Sequence, residues 1–529
     1  MYRLFWILLA GANAWGAGPI FNILDYGARN DGTASATDAF RSAIQAVKAA
    51  GGGTVYVPAG NYVSGPIELV SNLVLHIEAG ATVRFPVQRL PYTQGRVHGI
   101  ECLTPVPLIG AKNAENVSIT GRGTFATDNA GWLKLMGRPQ NNTADAIGSA
   151  FGPEWNHLLE LLQVKTPQPE EEYRKPAPFL RPSFIRFMES RNILVQDIHV
   201  AGSPFWTIHL LYSDNAVVRG VALETEPGEY AGGIYIDSSR DIRVSDSYLD
   251  TGDDGVVLKS GKDADGLRVN RPTENVSITN CVFRRTHEGA VVLGSETSGS
   301  IRNVVASNIT CRGSDIGIYI KSRRGRGGTV EDVRFDNWTM EDVRKGISVT
   351  NYYVLQGERP TAEQPVSQTT PVFRNIGISN VTINRARIAI DIGGLPEMPV
   401  SGLRIRDVIA SGGIGMRAYG TAALELHNVQ VNADSGPAFL VRDSRDLELD
   451  GVATRKPLAD TPVIRLDRCP GAIVRGSRAF PGTGTFISVA PGELKSTVLE
   501  GNALAGARKA SEEAAADFWS AAGAAARPK

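Results

Sequence analysis

The most constraining feature of this chain is a loose repeat. From about residue 190 to 500 an Asn or Asp precedes alternating aliphatics, then comes a polar turn, then a second apolar run. Examples are RNILVQDIHV (191–200), RDIRVSDSYL (240–249), ENVSITNCVF (274–283), RNVVASNITC (302–311) and EDVRFDNWTM (331–340). RNIGISNVTI (374–383), SGLRIRDVIA (401–410) and RDLELDGVAT (445–454) continue it. No unit is long enough to enclose a core, so the units bury one only by stacking. Short alternating runs with Asn/Gly turns, at a period of 20–35 residues, predict an all-β fold, a right-handed parallel β-helix. That architecture lets one domain absorb most of 529 residues, where length alone suggests several. A β-propeller is the alternative, but its blades need longer, four-stranded repeats.

The second runs align as IYIDS (234–238), VVLKS (256–260), VVLGS (291–295), IYIKS (318–322) and ISVTN (347–351). Their first and third positions are always aliphatic and should face the core. The second (Tyr235, Val257, Val292, Tyr319, Ser348) and fourth (Asp237, Lys259, Gly294, Lys321, Thr350) should face out, with strands about 4.8 Å apart. Three residues before each run the same register puts Asp253, Glu288 and Asp315 in one column on successive turns.

Other segments frame this coil. A helix is expected near residue 40, capped by Thr37, with Phe40, Ile44 and Val47 on one face and Gly51–Gly53 ending it. Such a helix would cover the bare first edge of the β-helix. The opening MYRLFWILLAGANAWGAG has Arg3, a short apolar run and small residues with cleavage placed after Ala14. Residues 1–17 therefore read as a secretory leader, the mature protein as secreted or periplasmic, and no segment as a membrane span. Residues 18–505 form the expected β-helix, with 127–180 an inserted lobe, 357–368 a loop, and 506–529 an Ala-rich helical or disordered tail. Cys102, Cys281, Cys311 and Cys469 fit no zinc spacing. Cys281–Cys311 is the best disulfide candidate, with buried free thiols as the alternative. A formal net charge of zero, 55 cations against 55 anions, argues against nucleic-acid recognition by charge. A monomer is expected.

The acidic column carries the chemistry. Asp253, Asp254 and Glu288 are candidate catalytic groups; Lys321, Tyr319, His287, Lys259 and His209 are candidate substrate-binding groups. Two carboxyls suit glycosidic hydrolysis, where one protonates the leaving oxygen and the other activates water. Crowding raises the pKa of one, and the lysines suit an acidic sugar. The same pattern is read equally as a solvated ladder, with Lys259 paired to Asp237 and Asp315 a turn residue. Trp206 in SPFWTIH reads as core rather than as a sugar platform.

At FNILDYGARNDGT, GSPFWTIH, TGDDGVVLKSG, GAVVLGSE and IYIKSRRGRGG the chain resembles glycoside hydrolase family 28, the polygalacturonase and rhamnogalacturonase family, over residues 20–390. The resemblance implies a right-handed parallel β-helix, a pectic substrate, and inverting hydrolysis with no metal or cofactor. It implies Asp253 as general acid and Asp254 as base. Of the family's marks only Gly-Asp-Asp is intact, at Gly252-Asp253-Asp254. Asn-Thr-Asp falls on Tyr230-Ala231-Gly232, Gly-His-Gly on His287-Glu288-Gly289, and Arg-Ile-Lys on Tyr319-Ile320-Lys321. Glu288 thus stands where the family has histidine, unless a bulge brings His287 into place. Two other readings stay open: a polysaccharide lyase whose acidic column binds Ca²⁺, and a glycan-binding β-helix that does not cut.

Overall fold

The computed structural model describes residues 18–135, 180–228, 230–353 and 362–514, with isolated positions between 157 and 172. The expected leader and most of the expected lobe lie outside the described residues.

Pleat and corner chemistry together build the coil. Alternating residues put one aliphatic set inside, while at each corner an Asn or Asp adopts positive φ, between 51° and 60° for Asn72, Asn116, Asn192, Asn215, Asp241, Asn275 and Asn303. Short amide side chains tolerate that left-handed conformation, which turns the chain into the next sheet. They also stack: the amide of Asn116 donates to Asn72, Asn192 to Asn116 and Asn215 to Asn192, each at 2.9 Å. This is the physical basis of the repeated Asn/Asp.

The result is a right-handed parallel β-helix with three ladders of parallel strands. One ladder runs through Ile185–Met188, Ile208–Leu211, Ile234–Asp237, Val256–Lys259, Gly289–Gly294, Ile316–Lys321 and Lys345–Thr350. The pairs Ile234↔Val256, Val256↔Val291, Val291↔Ile318 and Ile318↔Ile347 reproduce the register read from the sequence. The inward residues of all three ladders form one continuous apolar core from Ile23 to Val489.

The helix Thr37–Ala49 buries Phe40, Ala43, Ile44 and Val47 over the first turns. Thr37 is its first residue rather than its cap: Ala36 holds the cap position, and the Thr37 hydroxyl accepts the Gly65 amide at 2.7 Å. At the other end the Gly52 amide reaches back to the Val47 carbonyl at 3.0 Å. The tail also departs from expectation. Ala507–Glu513 is a strand paired with Thr483–Val489, so the coil continues past residue 505; positions after 514 lie outside the described residues. All four cysteines are buried free thiols, so Cys281 and Cys311 are not bonded.

One element has no counterpart in the sequence reading. Tyr92–Val97 and Ile100–Pro105 form an antiparallel hairpin through His98 and Gly99, both at positive φ (47° and 80°). Two such residues make the turn whose twist matches a hairpin. The hairpin lies across the outer face of the ladder. Arg96 donates to Asp237 at 3.0 Å and Ser238 at 2.8 Å, and Arg186 donates to Thr104 at 2.7 Å. A second apolar cluster fills the space beneath it, including Val97, Ile100, Trp206, Tyr235, Val257 and Val292. The positions expected to face out therefore do leave the core, but apart from the partly exposed Thr350 they are buried.

Candidate active site

Asp253 and Asp254 end the turn before strand Val256–Lys259. The Thr251 hydroxyl donates to the Asp253 carbonyl at 2.8 Å, and the Gly255 amide donates to Gly289 at 2.7 Å, locking the turn to the next coil. Neither aspartate lies inside the core, because strict alternation starts only at Val256.

The register then brings Lys321 to them. Its Nζ lies 3.5 Å from Asp254 Oδ2 and 3.5 Å from Glu288 Oε2. Asp254 and Lys321 are buried, whereas the Glu288 side chain is 41% exposed and forms the mouth. Tyr319 and Tyr353 flank the ammonium, with ring centroids 4.7 Å and 4.9 Å away. Burial works against the Lys321 charge, yet Asp254, Tyr353 and Glu288 hold its pKa well above the usual range. An ammonium thus sits between the carboxylates where the lyase reading would put Ca²⁺.

Burial is the largest influence on both aspartates and raises both. Lys321 pulls each back, while the neighbouring carboxylates push up; Asp254 ends at about 7. The two titrate as a unit, and the proton that Asp254 holds up to about 7 is shared by the pair. That is the inventory acid–base hydrolysis needs.

Tyr235 is the contact the sequence reading did not use. Its hydroxyl donates to Asp253 Oδ2 at 3.4 Å. Burial first, then Asp253 and Asp254, push its pKa well above 10, so it remains a donor. The ring stacks on Trp206 (centroids 4.3 Å apart), which stacks on Phe205 (4.8 Å). A Cβ on Gly232 would lie 2.2 Å from the Tyr235 hydroxyl oxygen. The phenol therefore fills the space that a side chain at 232, the place of the family's third aspartate, would need.

The other predicted residues separate. His209 is fully buried, edge-on to Trp206 at 4.7 Å and 3.7 Å from Asp237, so it cannot touch substrate and instead backs the aromatic stack. Its pKa is lowered by burial. Lys259 does not pair with Asp237. It is buried against Glu296 beneath the hairpin, because Arg96 already occupies Asp237. His287 stands at the rim, 59% exposed and 3.1 Å from Glu226, so no bulge brings it to the aspartates and Glu288 keeps the column position. Asp315 pairs with Arg344 at 3.3 Å. Trp206 is core-like, as expected. Tyr353 and Glu296 went unrecognised because they come from loops outside the repeat. The apolar Val257 and Val292, at outward positions, were the signal that something covers this face.

This arrangement has relatives. The profile of glycosyl hydrolases family 28 matches residues 175–434, and that of rhamnogalacturonase A/epimerase, pectate lyase-like, matches residues 20–82. A hyperthermoactive exopolygalacturonase from Thermotoga maritima is 30% identical with a TM-score of 0.69, over 79% of this chain and 92% of that one. A probable polygalacturonase of Vitis vinifera is 26% identical over 73% of both chains. An exo-poly-alpha-D-galacturonosidase of Dickeya chrysanthemi is 26% identical over 74% of this chain and 65% of its own. With the family match, the 30% identity and the shared coil in agreement, the chain belongs to glycosyl hydrolases family 28 and is a glycoside hydrolase.

Proposed function

We propose that this protein hydrolyses galacturonan, the acidic backbone of pectin, from a chain end and with inversion at the anomeric carbon. The observation that carries it is a buried carboxyl pair sharing one proton, beside Lys321, with Glu288 partly exposed next to it. Asp253 donates its proton to the leaving oxygen, held in place by Tyr235. At turnover the shared proton sits on Asp253, which leaves Asp254, ionised beside Lys321, to draw a proton from the attacking water. Lys321 also faces the sugar carboxylate, and Glu288 at the mouth keeps the ammonium charged and orients it. Tyr319 sits where the family has arginine, so among the described residues Lys321 supplies the cationic contact.

The chain-end reading follows from what is covered. Tyr235, Val257 and Val292, the outward positions on the aspartates' turn and its two neighbours, are at most 1% exposed, and Tyr319 on the next turn is 7% exposed. A polymer cannot lie across that face, so only a terminus enters. Two of the relatives above carry exo- activity in their names.

The test is digestion of polygalacturonate and rhamnogalacturonan with products identified by mass. The expected outcome is saturated galacturonic acid released singly from polygalacturonate, with viscosity falling slowly. A ladder of oligomers would refute the chain-end reading, and an unsaturated, ultraviolet-absorbing product would establish the lyase instead. Export of the protein belongs to the same proposal, and detection of a shortened N-terminus in culture medium or periplasm checks it.

A further inference from the structure

The mouth of the site continues into a groove that the reaction itself does not use. Counting along the corner before the strands, successive turns carry Glu288, Asp315, Arg344 and Arg387. Backbone bonds fix this order: the Asp315 amide donates to Thr286, Lys345 to Asp315, and Arg387 to Val343. With turns about 4.8 Å apart, Arg344 is about 10 Å and Arg387 about 14 Å from the Glu288 row. Along this row, in contrast to the sheet face, side chains are open: Glu288 is 41% exposed, and Asp315 and Arg344 are 43% exposed each.

The row leads into a groove of about 650 Å³. Ser411, Gly412 and Gly413 line it with almost no side-chain bulk, and Arg344, Arg385, Arg387 and Lys456 add four cations against Asp342 and Asp434. Arg385 already holds Asp342 through two bonds, at 2.7 Å and 3.0 Å. Arg344 shares Asp315. Among the described residues neither Arg387 nor Lys456 has an ion-pair partner. Cations left without carboxylates along an open, small-residue floor suit an extended polyanion.

We propose that this groove is a distal binding site for the carboxylates of the polysaccharide running out of the mouth, beyond the sugars at the point of cleavage. The proposal rests on the galacturonan reading. It adds that affinity for long chains comes from Arg387 and Lys456, several turns from the chemistry. Because these charges face solvent, their contribution is salt-sensitive.

The double variant Arg387→Ala/Lys456→Ala tests it, with kinetics on polygalacturonate and on the galacturonic acid dimer, at low and raised salt. The expected result is a rise of about tenfold in KM for the polymer, dimer kinetics within about twofold of wild type, and a flatter salt dependence on the polymer. Equal effects on polymer and dimer, or no effect on the polymer, would overturn the groove. Retention on immobilised polygalacturonate is measured in parallel. If the wild type cleaves no galacturonide, the functional reading fails, and retention decides the groove alone. Retention lost in the variant supports it; equal retention overturns it.

Discussion

Replacing Lys321 with Met should move the pH profile in a direction fixed by geometry. The ammonium lies 3.5 Å from Asp254, and both groups are buried, so solvent screens them little. At that distance and an effective dielectric of about 20, two unit charges interact by roughly 4–5 kcal/mol. Each pKa unit corresponds to about 1.4 kcal/mol, so the upper bound is about three units, and a neighbouring cation typically shifts a carboxyl by about one to three. The sign follows from which form Lys321 favours. It stabilises ionised Asp254, which still titrates at about 7, so removing it raises that value further. On the proposed mechanism, activity needs one proton on the pair and is lost when it leaves. The alkaline limb of kcat/KM should therefore move up by about one to three pH units, and the acidic limb should move up with it. Loss of sugar binding lowers the whole curve without moving its limbs, so the assay is the shape of kcat/KM from about pH 4 to 9.5. Thermal melts at each pH establish that the variant is folded. Limbs that stay in place, or move down, would refute the shared-proton reasoning.

Three further outcomes are expected. Tyr235→Phe keeps the stack on Trp206 but removes the hydroxyl from Asp253, and a hydrogen bond to a charged group is worth about 1.5–3 kcal/mol, so kcat should fall roughly ten- to hundredfold with KM little changed. Asp254→Asn should abolish turnover yet raise the melting temperature at pH 8 more than at pH 5. The folded state holds the Asp254 proton up to about 7, so the wild type loses stability as pH rises through that value and the amide does not. Arg96→Met leaves Asp237 buried without its cation, which should cost about 3–5 kcal/mol in denaturant unfolding at pH 7. Burial works to raise the Asp237 pKa, but Arg96 holds it below its ordinary value. The wild-type pair therefore loses its contribution as pH falls through the acidic range, and the penalty of the variant shrinks with it.

The coil was legible because its two rules are local. Period-two alternation marks the inward residues, and Asn or Asp marks the corner, so counting back from IYIDS, VVLKS, VVLGS and IYIKS put Asp253 and Glu288 in one column, with Lys321 further along the same face. What covers the patch was not legible. The hairpin 92–105 has no repeat to betray it, and its His98-Gly99 turn lacks the usual Asn-Gly pair. Without it, Lys259 and His209 read as open to substrate; with it, one is a buried partner of Glu296 and the other supports Trp206. Tyr235 was seen to point outward, but only the depth at Gly232 shows why its hydroxyl meets Asp253. The strand Ala507–Glu513 was missed because a last strand is paired on one side only and keeps polar residues on both faces, so alanine content dominated the reading.

The central claim is single-displacement hydrolysis by Asp253 and Asp254. Proton NMR of polygalacturonate digestion, recorded within minutes of mixing, tests it most directly, with Asp253→Asn as the control. The account predicts that the first saturated galacturonic acid appears as the β anomer from the α-linked chain and only later equilibrates, and that the control releases none. Initial release of the α anomer, an unsaturated product, or full release by Asp253→Asn would contradict it.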